Sequence, residues 1–272
     1  VSGRDAPIGV FDSGIGGWTV LREIRRELPA ETLLYVADSA CAPYGDRTPA
    51  FITERALAIA GWLVAAGAKA LVVACNTATS AAVGELRRRY SLPIVAIEPA
   101  VKPAALLTQS GVVAVLATRR TVESENFSRL RDAHGGEVTI LAQACPGLVE
   151  QVEAGALDSP ETLQLLADYA LPLQARGADT FVLACTHYPF LIDSLRAVLG
   201  PAVNIIDPAP AVARELRRRL AAAEALASGP ALGQTLAYTS GDPQRLAAQL
   251  RTLNETPATV AGLTLPAHSA SA

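Results

Sequence analysis

Lysine is nearly missing from this 272-residue chain: it occurs only at Lys69 and Lys102, and arginine supplies the rest of the 23 basic side chains. A pyridoxal-phosphate enzyme needs a Schiff-base lysine, so that chemistry has two candidates, and Lys69, between a helix and a strand, reads as a turn residue. Long apolar runs are lacking too. The uncharged apolar stretches at residues 56–68 and 70–84 are separated by Lys69 and carry Asn, Thr and Gly, whereas a bilayer span needs about 20 apolar residues in succession. No membrane association is expected. The opening VSGRDAPIGVF runs into an apolar stretch too short for a secretory signal, so the expected location is the cytoplasm, and the segment leaves little room for an extended N-terminal arm. Excess charge of one sign is absent as well, and a net charge of −3 argues against nucleic acid as a partner. The clusters Arg87–Arg89 and Arg217–Arg219 read as cations in the last turns of helices, where they complement the carbonyl end. Cysteine is sparse: Cys41, Cys75, Cys145 and Cys185 form no Cys-x-x-Cys and no dense framework, so free thiols are expected.

What is present is a regular alternation of apolar strands of four to six residues with longer helical patterns, which indicates parallel sheets flanked by helices. Strands are expected near residues 8–11, 33–37, 70–74, 94–97, 112–117, 138–142, 180–184, 204–206 and 235–239. Thr48-Pro49 reads as a helix N-cap and first helical residue, and Gly67 as that helix's terminator. The tail from Glu255 shows no period and reads as a loose end.

One segment occurs twice. AGAKALVVACNT (Ala66–Thr77) lies over RGADTFVLACTH (Arg176–His187) at an offset of 110, which sets Cys75 over Cys185. Two α/β units of common ancestry follow. The expected organisation is residues 1–98 with 208–272 as a first domain, residues 99–207 as a second, and an active site in the cleft between two similar halves.

Ligands of parallel α/β sheets collect at the carboxyl ends of strands, where Asp12, Asp38, Cys75 and Cys185 fall. Each of the paired cysteines also precedes an expected helix start, whose free N–H groups favour an anion. A lone cysteine after an apolar strand is more often a small core side chain. Two equivalent ones flanked by Asn76-Thr77 and Thr186-His187 argue for a site. The chemistry that wants two equivalent bases is proton removal from one face of a carbon and return to the other, with one thiolate and one thiol exchanging roles. Asp12 is placed to serve Cys75, and His187 to serve Cys185.

The motifs VFDSGIGGWTVLREI, PYG (Pro43–Gly45), ACNTAT, ACP with VE to Glu153, and ACTHYP together resemble the glutamate-racemase branch of the cofactor-independent aspartate/glutamate racemase family, from about Ile8 to Leu220. The resemblance implies interconversion of L- and D-glutamate without a cofactor, a role in supplying D-glutamate for peptidoglycan and so for cell shape, and a homodimer as an allowed assembly. It further implies Cys75 and Cys185 as acid/bases, assisted by Asp12 on one side and by Glu153 and His187 on the other. Substrate contacts are implied at Asp12, Ser13, Tyr44, Gly45, Asn76, Thr77, Thr186 and His187, with Thr118 and Thr121 from ATRRTV. Taken alone, Tyr44 reads as a turn aromatic and Glu153 as an exposed helix carboxylate. Cys41 and Cys145 receive no role.

Three other classes stay open from the residues. SGIGGWT after the first strand, with Asp38 ending the second, has the outline of a nucleotide-binding turn, although Thr19 stands at the third glycine's place and Asp12 opposes a phosphate. Cys75, Cys185, His187 and Asp12 form a set that zinc could use. Redox-sensing cysteines on an interaction protein would show no amino-acid turnover.

Overall fold

A computed structural model describes residues 3–134, 136, 138–229, 231–255 and 259–265. The chain divides into two compact units, Val1–Ile97 with Ala209–Ala272, and Glu98–Pro208.

The first unit runs β1 (Ile8–Asp12), α1 (Trp18–Glu27), β2 (Leu33–Ala37), α2 (Pro49–Ala65), β3 (Ala70–Val73), α3 (Asn76–Arg89) and β4 (Ile94–Ala96). The second holds α4 (Val101–Leu107), β5 (Val112–Ala117), α5 (Arg119–Val122), α6 (Glu125–His134), β6 (Thr139–Ala144), α7 (Leu148–Glu153), α8 (Pro160–Ala175), β7 (Thr180–Ala184), α9 (Ile192–Leu199) and β8 (Asn204–Ile206). The chain then returns to the first unit with α10 (Ala209–Ala222), β9 (Thr235–Thr239), α11 (Pro243–Thr252) and β10 (Thr259–Gly262). The two sheets have strand orders β10-β9-β2-β1-β3-β4 and β6-β5-β7-β8, and the pairings are parallel. The fold is therefore α/β with two parallel sheets flanked by helices.

Strands β1, β2, β3 and β7 are buried at every residue, which is why they read as apolar runs and not as alternations. In the first unit, Ile52, Ile59 and Leu63 of α2 pack on Phe11, Val36, Leu71 and Val73. Trp18 of α1 packs edge-on against Tyr35 with ring centroids 5.1 Å apart. In the second, Val113, Val115 and Val182 meet Val101, Ala104 and Phe127.

The internal repeat is visible as topology. Order β2-β1-β3-β4 in one sheet and β6-β5-β7-β8 in the other is the same path written twice, and in each the order reverses at the first strand, the place where such sheets bind ligands. The flanking signals repeat too. Thr48 and Ser159 cap α2 and α8 ahead of a proline at the first helical position, accepting from Phe51 N and Thr162 N. Gly67 and Gly177 follow those helices at φ +89° and +94°, a left-handed conformation that glycine takes without strain.

Several local expectations are corrected. Helix α10 continues to Ala222, so only Arg219 of its basic cluster lies in the last turn. Its neighbours pair sideways, Arg217 with Glu27 at 2.9 Å and Arg218 with Glu215 at 2.7 Å. Lys69 lies in the connection between α2 and β3 as expected, but its side chain is more than that of a turn residue: it is 2% exposed, its Nζ lies 2.6 Å from Glu31 Oε2, and it also donates to the Arg4 carbonyl. Part of the tail beyond Glu255 is ordered as β10, pairing with β9 from Thr259 to Gly262.

Asp179 gives the second unit an acid-sensitive joint. Its carboxylate accepts from Thr108 Oγ1, the Gln109 and Ser110 amides and Thr180 Oγ1 at 2.6 to 2.9 Å. Burial pushes its pKa up, but these bonds outweigh burial and bring it down to about 2. A depressed carboxylate contributes stability that is present above its unfolded pKa and is lost as pH falls through the folded one. Urea unfolding should therefore show Asp179→Ala losing on the order of 1–2 kcal/mol relative to wild type at pH 7, and the gap closing between about pH 4 and 2. A gap independent of pH would contradict this.

Candidate active site

Asp12 ends β1 and is wholly buried. Its Oδ2 accepts from the Gly14 amide at 3.0 Å, so a carboxylate takes a backbone donor of the glycine turn that a phosphate would need. Gly17, the N-cap of α1, has an ordinary φ of −61°; close approach is what requires it to be glycine. A Cβ there would stand 2.5 Å from Asp12 Cβ and 3.1 Å from Ala74 Cβ. Gly17→Ala is thus expected to lower stability by about 1–3 kcal/mol through overpacking, measured by denaturant titration; an unchanged midpoint would show that Asp12 can shift freely.

Cys75 is the N-cap of α3 and is 5% exposed. Its Sγ accepts from the Ala78 amide at 3.4 Å and lies 3.9 Å from Ser13 Oγ. That amide and the helix start stabilise charge developing on the sulfur. Asn76 is 3% exposed, and neither its amide oxygen nor its nitrogen has a hydrogen-bond partner among the described residues. Buried polar atoms rarely stay unpaired, so this side chain is set for a ligand. Thr77, next to it in sequence, and Ser13, next to Asp12, are also buried.

Asp38 follows β2, and its backbone N–H bonds the Asp12 carbonyl at 2.9 Å. It is not open to a ribose: its carboxylate is fully enclosed and accepts from Arg55, Tyr44 and Ser240. Tyr44 is no ordinary turn aromatic. It is 1% exposed within the 3-10 turn Tyr44–Asp46, which also carries Gly45, and its hydroxyl donates to Asp38 at 2.6 Å.

In the second unit Cys185 follows β7 and is 6% exposed. A 3-10 turn, Tyr188–Leu191, separates it from α9, so no helix start lies directly behind this sulfur. His187 does: its Nδ1 is 3.9 Å from Cys185 Sγ, and its Nε2 is 2.8 Å from Glu153 Oε1. Glu153 ends α7 with its side chain 17% exposed, so it is a partner of His187 and not a solvated carboxylate. Burial pulls the His187 pKa down, yet hydrogen bonds to Cys185 and Glu153 overcome this and hold it well above 6.5. Thr186 is buried, and Tyr188 donates its hydroxyl to the carbonyls of Ala117 and Cys145.

Thr118 caps α5, accepting from the Thr121 amide at 3.4 Å, with the two hydroxyls 3.0 Å apart. Cys145 holds the place in the second sheet that Asp38 holds in the first, each donating its N–H to the end of the central strand. Burial raises its thiol pKa strongly. The four cysteines are free thiols. Among the described residues no group of three or more His, Cys, Asp or Glu side chains is arranged to hold a metal ion, and no helix is long and apolar enough to cross a membrane. Sequence reasoning missed Arg55 entirely, because a helix-face arginine shows no sign of the carboxylate it will meet.

The model of the Asp/Glu/Hydantoin racemase family matches residues 8–216. A glutamate racemase of Stutzerimonas stutzeri (strain A1501) is 55% identical over 243 residues, covering 89% of this chain and 91% of its own. Among solved structures, glutamate racemase from Thermus thermophilus in complex with β-chloro-D-alanine superposes with a TM-score of 0.82 at 38% identity, covering 96% of this chain and 98% of that one. Escherichia coli glutamate racemase in complex with L-glutamate and the activator UDP-MurNAc-ala gives 0.85 at 32% identity, covering 96% and 100%.

Proposed function

This chain belongs to the Asp/Glu/Hydantoin racemase family, and from that premise we propose that it interconverts L- and D-glutamate, using Cys75 and Cys185 as the two acid/bases. The observation that carries the reading is the repeat itself. Cys75 and Cys185 follow the equivalent strands β3 and β7, each beside groups able to handle charge or protons.

In the reaction, one sulfur as thiolate takes the α-proton while the other, as thiol, delivers a proton to the opposite face. The product leaves with the two protonation states exchanged. Both sulfurs must therefore reach one α-carbon. Asp12 supports the first cysteine, and the Glu153–His187 pair supports the second by supplying or storing a proton beside its sulfur. Asn76, Ser13, Thr77, Tyr44, Gly45, Thr186, His187, Thr118 and Thr121 are the groups proposed to bind substrate. The unpaired amide of Asn76 is the best supported of these, since a carboxylate and an ammonium together offer what its two ends require. No cofactor enters the scheme. The biological role proposed is provision of D-glutamate for peptidoglycan in the cytoplasm, with a homodimer as the assembly allowed for.

The decisive experiment incubates each glutamate enantiomer with the protein in deuterium oxide, following optical rotation and α-deuterium by NMR. Racemisation with deuterium entering the product is the expected result. No exchange from either enantiomer would refute the reading, and faster turnover of aspartate would reassign the substrate.

A further inference from the structure

Asp38 has no exposure to solvent, and the side chains of Arg55, Tyr44 and Ser240 donate to its carboxylate. Arg55 of α2 donates Nε to Oδ2 at 2.9 Å and Nη2 to Oδ1 at 2.7 Å. The Tyr44 hydroxyl donates to Oδ2 and the Ser240 hydroxyl to Oδ1, each at 2.6 Å. The donors come from α2, from the Tyr44–Asp46 turn and from the connection between β9 and α11. The two-pronged guanidinium contact matches carboxylate geometry in a way a lysine cannot.

The consequence for Tyr44 is chemical. A phenol has one proton, and this one is on Asp38, so toward any other group the oxygen can only accept. Burial and the Asp38 charge both push the Tyr44 pKa well up, keeping that proton in place. Burial raises the Asp38 pKa, but the bonds from Arg55, Ser240 and Tyr44 bring it below the usual carboxylate value, which keeps the acceptor charged. The assembly stands next to the proposed chemistry: Asp38 N–H bonds the carbonyl of Asp12, and Tyr44 packs in the same core cluster as Cys75.

Resting on the glutamate-racemase reading, we propose that Arg55 is a positioning residue: through Asp38 it fixes the Tyr44 hydroxyl as an acceptor and pins the Tyr44–Asp46 turn to the end of β2, shaping the substrate-binding loop before substrate arrives. Arg55 has no contact with substrate in this scheme. It acts at second hand, and its removal should be felt in binding more than in proton transfer.

The test is a mutant cycle on steady-state racemisation, with wild type, Tyr44→Phe, Arg55→Lys and the double variant, and with melting temperature recorded for each. Tyr44→Phe keeps the ion pair and deletes only the phenol's bond; it should raise KM for both enantiomers about tenfold with kcat changed by less than about threefold. Arg55→Lys keeps the charge but loses the fork, and should raise KM in the same direction by a smaller factor. The double variant should match Tyr44→Phe alone, because the link through which Arg55 acts is already cut. Multiplying effects in the double variant, or Arg55→Lys lowering only the melting temperature with KM unchanged, would overturn the proposal. A fourth variant, Arg55→Met, should raise KM more than Arg55→Lys and no further than Tyr44→Phe; should it fail to fold, the other three still decide. Wild-type protein that does not racemise glutamate would instead refute the activity on which the proposal stands.

Discussion

Replacing either Cys75 or Cys185 by serine is expected to cut glutamate racemisation by more than about 10³-fold, the range that general acid–base groups contribute. Serine keeps the shape but holds its proton far too tightly to act as the base, and as an acid it returns one too slowly. The two single variants are nevertheless not equivalent. L- and D-glutamate have equal energies, so kcat/KM must remain equal in the two directions for any variant, and a one-sided defect cannot show there. It shows where only one base is needed. With a glutamate analogue carrying a leaving group on the β-carbon, removal of the α-proton and departure of that group complete the reaction without a second proton transfer. Each cysteine variant should then eliminate from one enantiomer only, and the two variants should prefer opposite enantiomers. Racemisation at the wild-type rate in either variant would end the paired-base assignment.

Glu153→Gln should lower kcat by about 10- to 100-fold and add an alkaline limb to its pH profile. The sign follows from the pair's geometry. His187 is held protonated against the pull of burial by hydrogen bonds to Cys185 and to the Glu153 carboxylate 2.8 Å from Nε2. A neutral amide leaves burial less opposed, so the ring loses its proton at lower pH and activity falls as pH rises through that new value. Stability should follow the same linkage. A histidine whose folded pKa is raised contributes stability that is complete below its unfolded pKa, near 6.5, and is lost as pH rises through the folded pKa. The melting-temperature difference between wild type and Glu153→Gln should therefore be largest at or below about pH 6 and shrink toward alkaline pH. Superimposable activity profiles would remove Glu153 from the proton path.

The two sides reach charge control differently, and the register explains why. Aligning β3 on β7 sets Asp12 opposite Ala117, so the second unit has an alanine where the first has the acid at the end of β1. It recruits Glu153 from α7 by way of His187. On the first side Cys75 has an amide donor at the start of α3, whereas a 3-10 turn follows Cys185. A duplicated scaffold therefore carries unlike chemistry at its two equivalent positions.

Periodicity, caps and the repeat were sufficient for strands β1 to β9, the α/β class and the places of Cys75, Cys185, Asp12 and His187, because burial on both faces and strand-end chemistry are local properties written in consecutive residues. Tertiary structure alone decided the partners: Glu153 on His187, Arg55 and Tyr44 on Asp38, Glu31 on Lys69, and a tail segment closing the sheet as β10. A buried charge is stabilised by whichever opposite group the packing brings to it across dozens of intervening residues. Neither the distance nor the direction of such a contact leaves any period in the chain.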